Sequence, residues 1–302
     1  MKRSWRSGLT LVLTAPLLLA ACGGGGIAAL SNSEGKDSTQ ISSYPDARTE
    51  GAELLSAFYG LDDAIPFFAS YRICGSLGNS DGMPVIFSKE VDIATLQAGD
   101  FSVLLNDGSE VKPGCVTPAP AEDLGEFRTM LMVGDFGSID NQPTTVEITG
   151  NIVSMDHGTN FLGAKVDVTP LEDGPALVHA EIVPEEDWEL GKEPSGLRFG
   201  GGTACPASTQ QVVRAVWAGG VTKPGGDEVD DFEREAYRVM ALDNDTLTTV
   251  TPFALGDLGD GDNNHELCLD VTSEVVRIEF PAGLMTDPRE DLNIATSITL
   301  TN

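Results

Sequence analysis

Apolar residues in this chain come in short runs, and nearly every run is closed by Gly, Pro, Asn or Asp. Brief runs rich in Val, Ile, Thr and aromatic residues predict β-strands. In the first half they fall at 84–88, 101–105, 129–133, 145–149, 165–168 and 176–183. In the second half they fall at 212–217, 236–241, 247–250, 266–271, 275–280 and 297–300. The residues between them, such as Asn106-Asp107-Gly108 and Asp260-Gly261-Asp262-Asn263-Asn264, carry turn chemistry. Short strands following one another without long helices predict antiparallel sandwiches, not βαβ units. Leu54, Leu55 and Phe58 fall at helical spacing, which predicts a short helix over 49–59; another is expected near 93–96.

The pattern also repeats itself. Val116-Thr117-Pro118 followed by Asp123-Leu124-Gly125-Glu126 returns as Val250-Thr251-Pro252 followed by Asp257-Leu258-Gly259-Asp260, at an offset of 134. Cys74 leads into Pro84-Val85-Ile86-Phe87 as Cys205 leads into the apolar run 212–217, and Val146-Glu147-Ile148 matches Val276-Arg277-Ile278 at an offset of 130. Markers that keep their order near one offset predict a tandem duplication with a period of about 130 residues.

The N-terminus changes the compartment. Lys2, Arg3 and Arg6 precede an apolar stretch over 9–21 that is broken by Pro16. Such a stretch is shorter than the roughly 20 residues a membrane-spanning helix needs, so it reads as an export signal. Leu19-Ala20-Ala21-Cys22 resembles the lipobox of bacterial lipoproteins. That resemblance implies cleavage before Cys22, acylation of its thiol and new N-terminus, and membrane attachment through lipid. Gly23 in place of Asp implies outer-membrane sorting by the same analogy. The Gly/Ser/Asn-rich stretch that follows has the composition of a flexible tether.

An exported chain meets an oxidising environment, so the remaining Cys74, Cys115, Cys205 and Cys268 predict two disulfides. The duplication favours one bridge per repeat, Cys74–Cys115 and Cys205–Cys268. One detail disturbs the symmetry: Cys115 precedes its Val-Thr-Pro, whereas Cys268 follows its Asp-Leu-Gly.

The chain carries 18 Lys+Arg against 47 Asp+Glu. Losing the leader would leave 15 against 47, a net charge of −32. Nucleic acid is thereby excluded as a partner, because binding it requires clustered cations.

Phe87-Ser88-Lys89-Glu90-Val91-Asp92-Ile93-Ala94-Thr95-Leu96, followed by Asp100-Phe101-Ser102-Val103, resembles the opening of bacterial immunoglobulin-like repeats. Gly283-Leu284-Met285-Thr286-Asp287, Asp291-Leu292-Asn293 and Ser297-Ile298-Thr299 are similar to their closing signature. The resemblance implies an all-β protein with two immunoglobulin-like sandwiches. The expected layout is a signal peptide over 1–21, a tether over 22–48, a short helical segment over 49–65, and repeats over 66–175 and 176–302.

Candidate chemistry is sparse. Asp257, Asp260, Asp262, Asn264 and Glu266 offer hard oxygens of the kind Ca²⁺ takes, set against the plainer reading of a solvated acidic turn. His265 and Val271 stand where an EF-hand needs Gly and Glu. Asp287, Asp291 and Asn293 form a weaker set. Gly78-Asn79-Ser80-Asp81-Gly82 fits the G-x-S-x-G pattern but precedes a strand, so it reads as a turn. His157, His179 and His265 have no metal-ligand spacing, and Trp188 and Trp217 suit packing better than sugar stacking. The expected function is a non-enzymatic, lipid-anchored envelope module that binds or scaffolds an envelope protein or polysaccharide. The alternative is a secreted hydrolase that uses acidic residues with a metal.

Overall fold

The computed structural model of the protein describes residues 37–65, 74, 80–193 and 201–300. The first repeat contains β1 (Leu54–Phe58), β2 (Asp81–Phe87), β3 (Phe101–Leu105), β4 (Glu110–Val111), β5 (Cys115–Thr117), β6 (Thr129–Gly134), β7 (Pro143–Ile148) and β8 (Lys165–Thr169). The second contains β9 (Leu177–Ile182), β10 (Gln211–Trp217), β11 (Arg238–Asp243), β12 (Thr246–Val250), β13 (Ala254–Gly256), β14 (Asn264–Leu269), β15 (Glu274–Phe280) and β16 (Thr296–Thr299). A six-residue helix α1 (Asp231–Ala236), closed at its start by an Asp230/Glu233 capping box, precedes β11. The all-β expectation holds.

Pairing gives the two halves of the chain one and the same strand order. The first repeat orders its strands β1-β2-β6-β5 and β4-β3-β7-β8; the second orders them β9-β10-β14-β13 and β12-β11-β15-β16. Each strand therefore has a counterpart eight places on. Register agrees: Leu54 faces Phe87 as Leu177 faces Trp217. The repeats differ at one seam. In the first, β1 also pairs in parallel with β8, joining its two sheets, whereas in the second Leu177 N donates to Thr296 Oγ1 at 3.1 Å.

Each repeat has its own apolar core. One runs from Leu54 to Leu171 and centres on Phe87, whose ring meets Phe161 edge-on at 4.8 Å. The other runs from Leu177 to Leu300 and centres on Trp217, which meets Phe280 edge-on at 5.2 Å. Phe87 and Trp217 hold equivalent places at the ends of β2 and β10, so the larger ring demands different neighbours. Trp217 Nε1 donates to Tyr237 Oη at 2.9 Å, and that hydroxyl lies 2.8 Å from His265 Nδ1. The indole nitrogen donates to the phenol oxygen, which leaves the Tyr237 proton free to go to Nδ1 when His265 carries its own proton on Nε2. Burial holds His265 down to about 4. Its neutral form thus contributes stability that is complete above about pH 6.5 and lost as the pH falls toward the folded value. Tyr237→Phe orphans two buried groups at once and is expected to cost about 2–4 kcal/mol. Urea unfolding at neutral pH measures this, and a loss well under 1 kcal/mol would contradict the network.

The helix expected over 49–59 does not form: Leu54–Phe58 is β1. Leu54, Ala57 and Tyr59 enter the first core, while the Phe58 ring lies so close to Gly219 of the second repeat that a Cβ there would sit 2.8 Å from it. A strand covered on both faces is apolar throughout, and its periodicity cannot be told from a buried helix. The turn expected near 93–96 is one 3₁₀ turn, Ile93–Thr95, capped by Asp92. Of the tether expected over 22–48, the described residues 37–48 are bound to the body. Asn151 N donates to Asp37 Oδ2, Ser38 Oγ to Gln97 Oε1, and Asn160 N to the Arg48 carbonyl. These anchors are polar, so they leave no trace in a hydrophobicity pattern.

Both expected disulfides are present, Cys74–Cys115 and Cys205–Cys268, with Cα atoms 5.8 and 5.6 Å apart. Their asymmetry has a simple geometry. Cys115 on β5 faces Val133 on β6, and Ala254 on β13 faces Cys268 on β14. The second half-cystine has crossed to the partner strand of the same pair. Each bridge still fills the same small apolar cluster, with Ile65 and Val133 in one repeat and Val183 and Val212 in the other.

Candidate functional site

The two Asp-Leu-Gly loops, one before β6 and one before β14, meet each other. Oxygens of Asp123, Asp257 and Asp260 lie within 4.8 Å of one another, and so do oxygens of Glu126, Asp257 and Asp262. Both sets draw on both repeats and share Asp257. The first loop is shaped by Glu126, whose Oε2 accepts from Asp123 N at 2.9 Å. Gly125 takes φ +88°, and Arg214 lies against the position a Cβ would take there. That residue therefore has to be glycine both for its backbone and for its neighbour.

Arg214, on β10, is the cation at the centre of the joint. It is 4% exposed, and its guanidinium donates to the carbonyls of Leu124 at 2.8 Å and Gly125 at 3.1 Å. Glu181 Oε1 stands 3.3 Å from Nη1, and Glu266 Oε1 stands 3.5 Å from Nη2. Arg128 reaches across from the first repeat to Glu181 Oε2 at 2.6 Å. Burial alone would raise Glu181, but the hydrogen bond from His179 and the charges of Arg128 and Arg214 outweigh it, and the carboxyl sits at about 2. Lys192 Nζ, 3.6 Å from Asp123, adds one weaker cation at the edge. Asn263 closes the joint by donating to Thr129 Oγ1, 3.2 Å away and 134 residues earlier.

The acids opposite Arg214 are buried beyond what these cations offset. Glu126 is 1% exposed, Asp257 and Asp260 5% and Asp262 7%. Desolvation pushes all four carboxyls up, and for Asp257 and Asp262 burial, joined by repulsion from neighbouring carboxylates, takes them well above their ordinary value. Among the described residues no N–H donor reaches Glu126 Oε1 or Asp257 Oδ2, and the two side chains hydrogen-bond to each other, carboxyl to carboxyl.

Of the oxygen ligands expected from sequence, Asp257, Asp260 and Asp262 do converge. Asn264 turns its amide to Asp262 at 2.5 Å, and Glu266 is committed to Arg214 instead. Asp123 and Glu126 complete the group but were legible only as repeat markers, and Arg214 sits in a run that reads as core strand. Cys22 lies outside the described residues. The weaker set is a turn: Asp287 Oδ1 accepts from Arg289 N and Asp291 N, and Asn293 Oδ1 from Leu284 N and Met285 N. In the G-x-S-x-G stretch, Gly78 and Asn79 lie outside the described residues, while Asp81 opens β2 and caps the amides of Asp63 and Phe136. His157 faces Asp92 at the surface and His179 faces Glu181. Trp188 donates to the Val183 carbonyl beside the second disulfide, which is packing.

No protein-family model and no curated protein matches the sequence. Among solved structures, the chain is similar to the S-layer protein rSbsC(31-844) at 14% identity and a TM-score of 0.28, covering 86% of this chain and 42% of that one. A structure of surface layer protein SbsC, domains 1-6, gives 13% identity, a TM-score of 0.27, and coverage of 86% and 41%. The chain thus spans about two fifths of the length of these neighbours.

Proposed function

We propose that the protein is a non-enzymatic, lipid-anchored module of the cell envelope. Its two immunoglobulin-like repeats, joined face to loop, act as one body that binds or scaffolds an envelope protein or polysaccharide. Its two disulfides belong to an oxidising, extracytoplasmic compartment. The observation that carries the reading is the burial of the acidic cluster. A metal-assisted or acid-base hydrolase presents its carboxylates to a cleft that substrate can enter. Here Glu126, Asp257 and Asp262 face the other repeat and are nearly inaccessible.

Metabolic labelling with a fatty-acid analogue tests the anchor. The wild type is expected to take up label and sediment with membranes, and Cys22→Ser to lose the label and move to the soluble fraction. An unlabelled wild type, or a variant that stays membrane-bound, would overturn the anchor. Co-sedimentation of the released body with isolated envelope polysaccharide or envelope protein supports the binding role. Hydrolysis of ester, glycoside or phosphate substrates, lost on a single acidic or serine substitution, would restore the hydrolase reading.

A further inference from the structure

We propose that the joint between the repeats holds one Ca²⁺ ion, bound by Glu126 from the first repeat and by Asp257 and Asp262 from the second. Two carboxylate oxygens of these residues, Glu126 Oε1 and Asp257 Oδ2, are fully buried and meet no N–H donor among the described residues, and the side-chain hydrogen bond between Glu126 and Asp257 runs carboxyl to carboxyl, so it needs a proton that a cation would replace. Their residues are 1% and 5% exposed, so bulk solvent does not reach them. A buried carboxylate oxygen without a donor is costly, and this arrangement places several against one another. Asp123, Asp260 and Glu266 crowd the same joint, where Arg214 and Lys192 are the cations beside these acids among the described residues. Arg214 donates to the Leu124 and Gly125 carbonyls and to Glu181 and stands 3.5 Å from Glu266, its buried Nε has no partner among the described residues, and none of its hydrogen bonds goes to Asp257 or Asp262.

The spacing fits a single ion. Two oxygens each about 2.4 Å from one Ca²⁺ lie at most about 4.8 Å apart. The oxygens of Glu126, Asp257 and Asp262 meet that limit. The donors are all carboxylates, and the nearby His265 is tied to Tyr237, so the set selects a hard cation over zinc. A buried, protein-built cage suits Ca²⁺ better than Mg²⁺, which keeps several of its waters. Asp123 and Asp260 share Asp257 with the buried set, and Asp123, with 28% of its side chain exposed, opens the group to solvent as an entry path. Because one ligand comes from a loop 131 residues before the next, the ion would bind the repeats to each other. The inference is independent of the anchoring and scaffolding reading, whose fractionation test takes no account of calcium.

The test uses full-length Cys22→Ser protein stripped with EDTA, then titrated with CaCl₂ or MgCl₂ by calorimetry and melted at matched ionic strength. One Ca²⁺ per chain, a Tm raised by saturating Ca²⁺, and at least tenfold weaker Mg²⁺ are expected. Glu126→Gln and Asp257→Asn should each weaken Ca²⁺ at least tenfold, while Asp46→Asn, an exposed acid, leaves it unchanged. In chelator the two cluster variants should melt no lower than the parent, since each removes a buried like charge; that shows them folded. The proposal is overturned if Ca²⁺ gives no saturable heat and shifts Tm no more than NaCl does. It also falls if Mg²⁺ binds equally well, or if Glu126→Gln binds Ca²⁺ as the parent does.

Discussion

Arg214→Ala should lower the unfolding free energy at pH 7 by about 3–5 kcal/mol, the range for removing one partner of a buried ion pair. Two losses combine. The carbonyls of Leu124 and Gly125 lose their donors, and Glu181 and Glu266 lose a guanidinium 3.3 and 3.5 Å away. Arg214→Lys keeps the charge but cannot serve two carbonyls and two carboxylates at once, so it should fall between Ala and the wild type. The pH dependence separates this from simple loss of packing. Glu181, held at about 2 in the folded protein, stabilises it fully above about pH 4.5, and that contribution is lost as the pH falls toward the folded value. Without Arg214 part of that stabilisation is gone at every pH, while the His179 hydrogen bond and the Arg128 charge, the two larger causes, remain. The gap between variant and wild type should therefore be widest above pH 4.5 and narrow below it. Urea unfolding at several pH values measures it; a gap that is small, or that does not change with pH, would remove Arg214 from its central place.

Most strands were legible as short apolar or β-branched runs closed by Gly, Asn or Asp, whether they alternate, as β7 does, or are buried almost throughout, as β6 is. β1 was not, since Leu54-Leu55-Ser56-Ala57-Phe58 has no β-branched residue, is nearly all buried and shows no alternation to set against its helical spacing. β4, β5 and β13 have two or three residues each, too few to show any period. The duplication was legible, but one marker aligned for the wrong reason. Val116 lies in β5, whereas Val250 ends β12, and the counterpart of β5 is β13. Five residues, 118–122, separate β5 from its Asp-Leu-Gly loop, and none separates β13 from its own. The candidate site was half legible. Asp257, Asp260 and Asp262 are neighbours in sequence, so their oxygens announce themselves. Asp123 and Glu126 reach them only because the two Asp-Leu-Gly loops meet, and a single sequence does not encode which copy of a motif approaches the other.

The disulfides give the second large effect and a sharper test of the duplication. Closing loops of 41 and 63 residues should stabilise each repeat by about 4 kcal/mol in the chain-entropy model. Cys205→Ala with Cys268→Ala, or Cys74→Ala with Cys115→Ala, should cost about that much in urea unfolding. The two pairs should differ by only about 0.4 kcal/mol, because the dependence on loop length is logarithmic. The transposed half-cystine allows a rescue. Val133 occupies on β6 the place Cys268 occupies on β14, and it already packs with Cys74 and Cys115. Cys115→Ala combined with Val133→Cys should therefore form a bridge from Cys74 to the new thiol and recover most of the lost stability. Non-reducing peptide mapping identifies the link. A variant that leaves Cys74 free, or that pairs it with the second repeat, would show that the two bridges do not descend from one shared arrangement of strands.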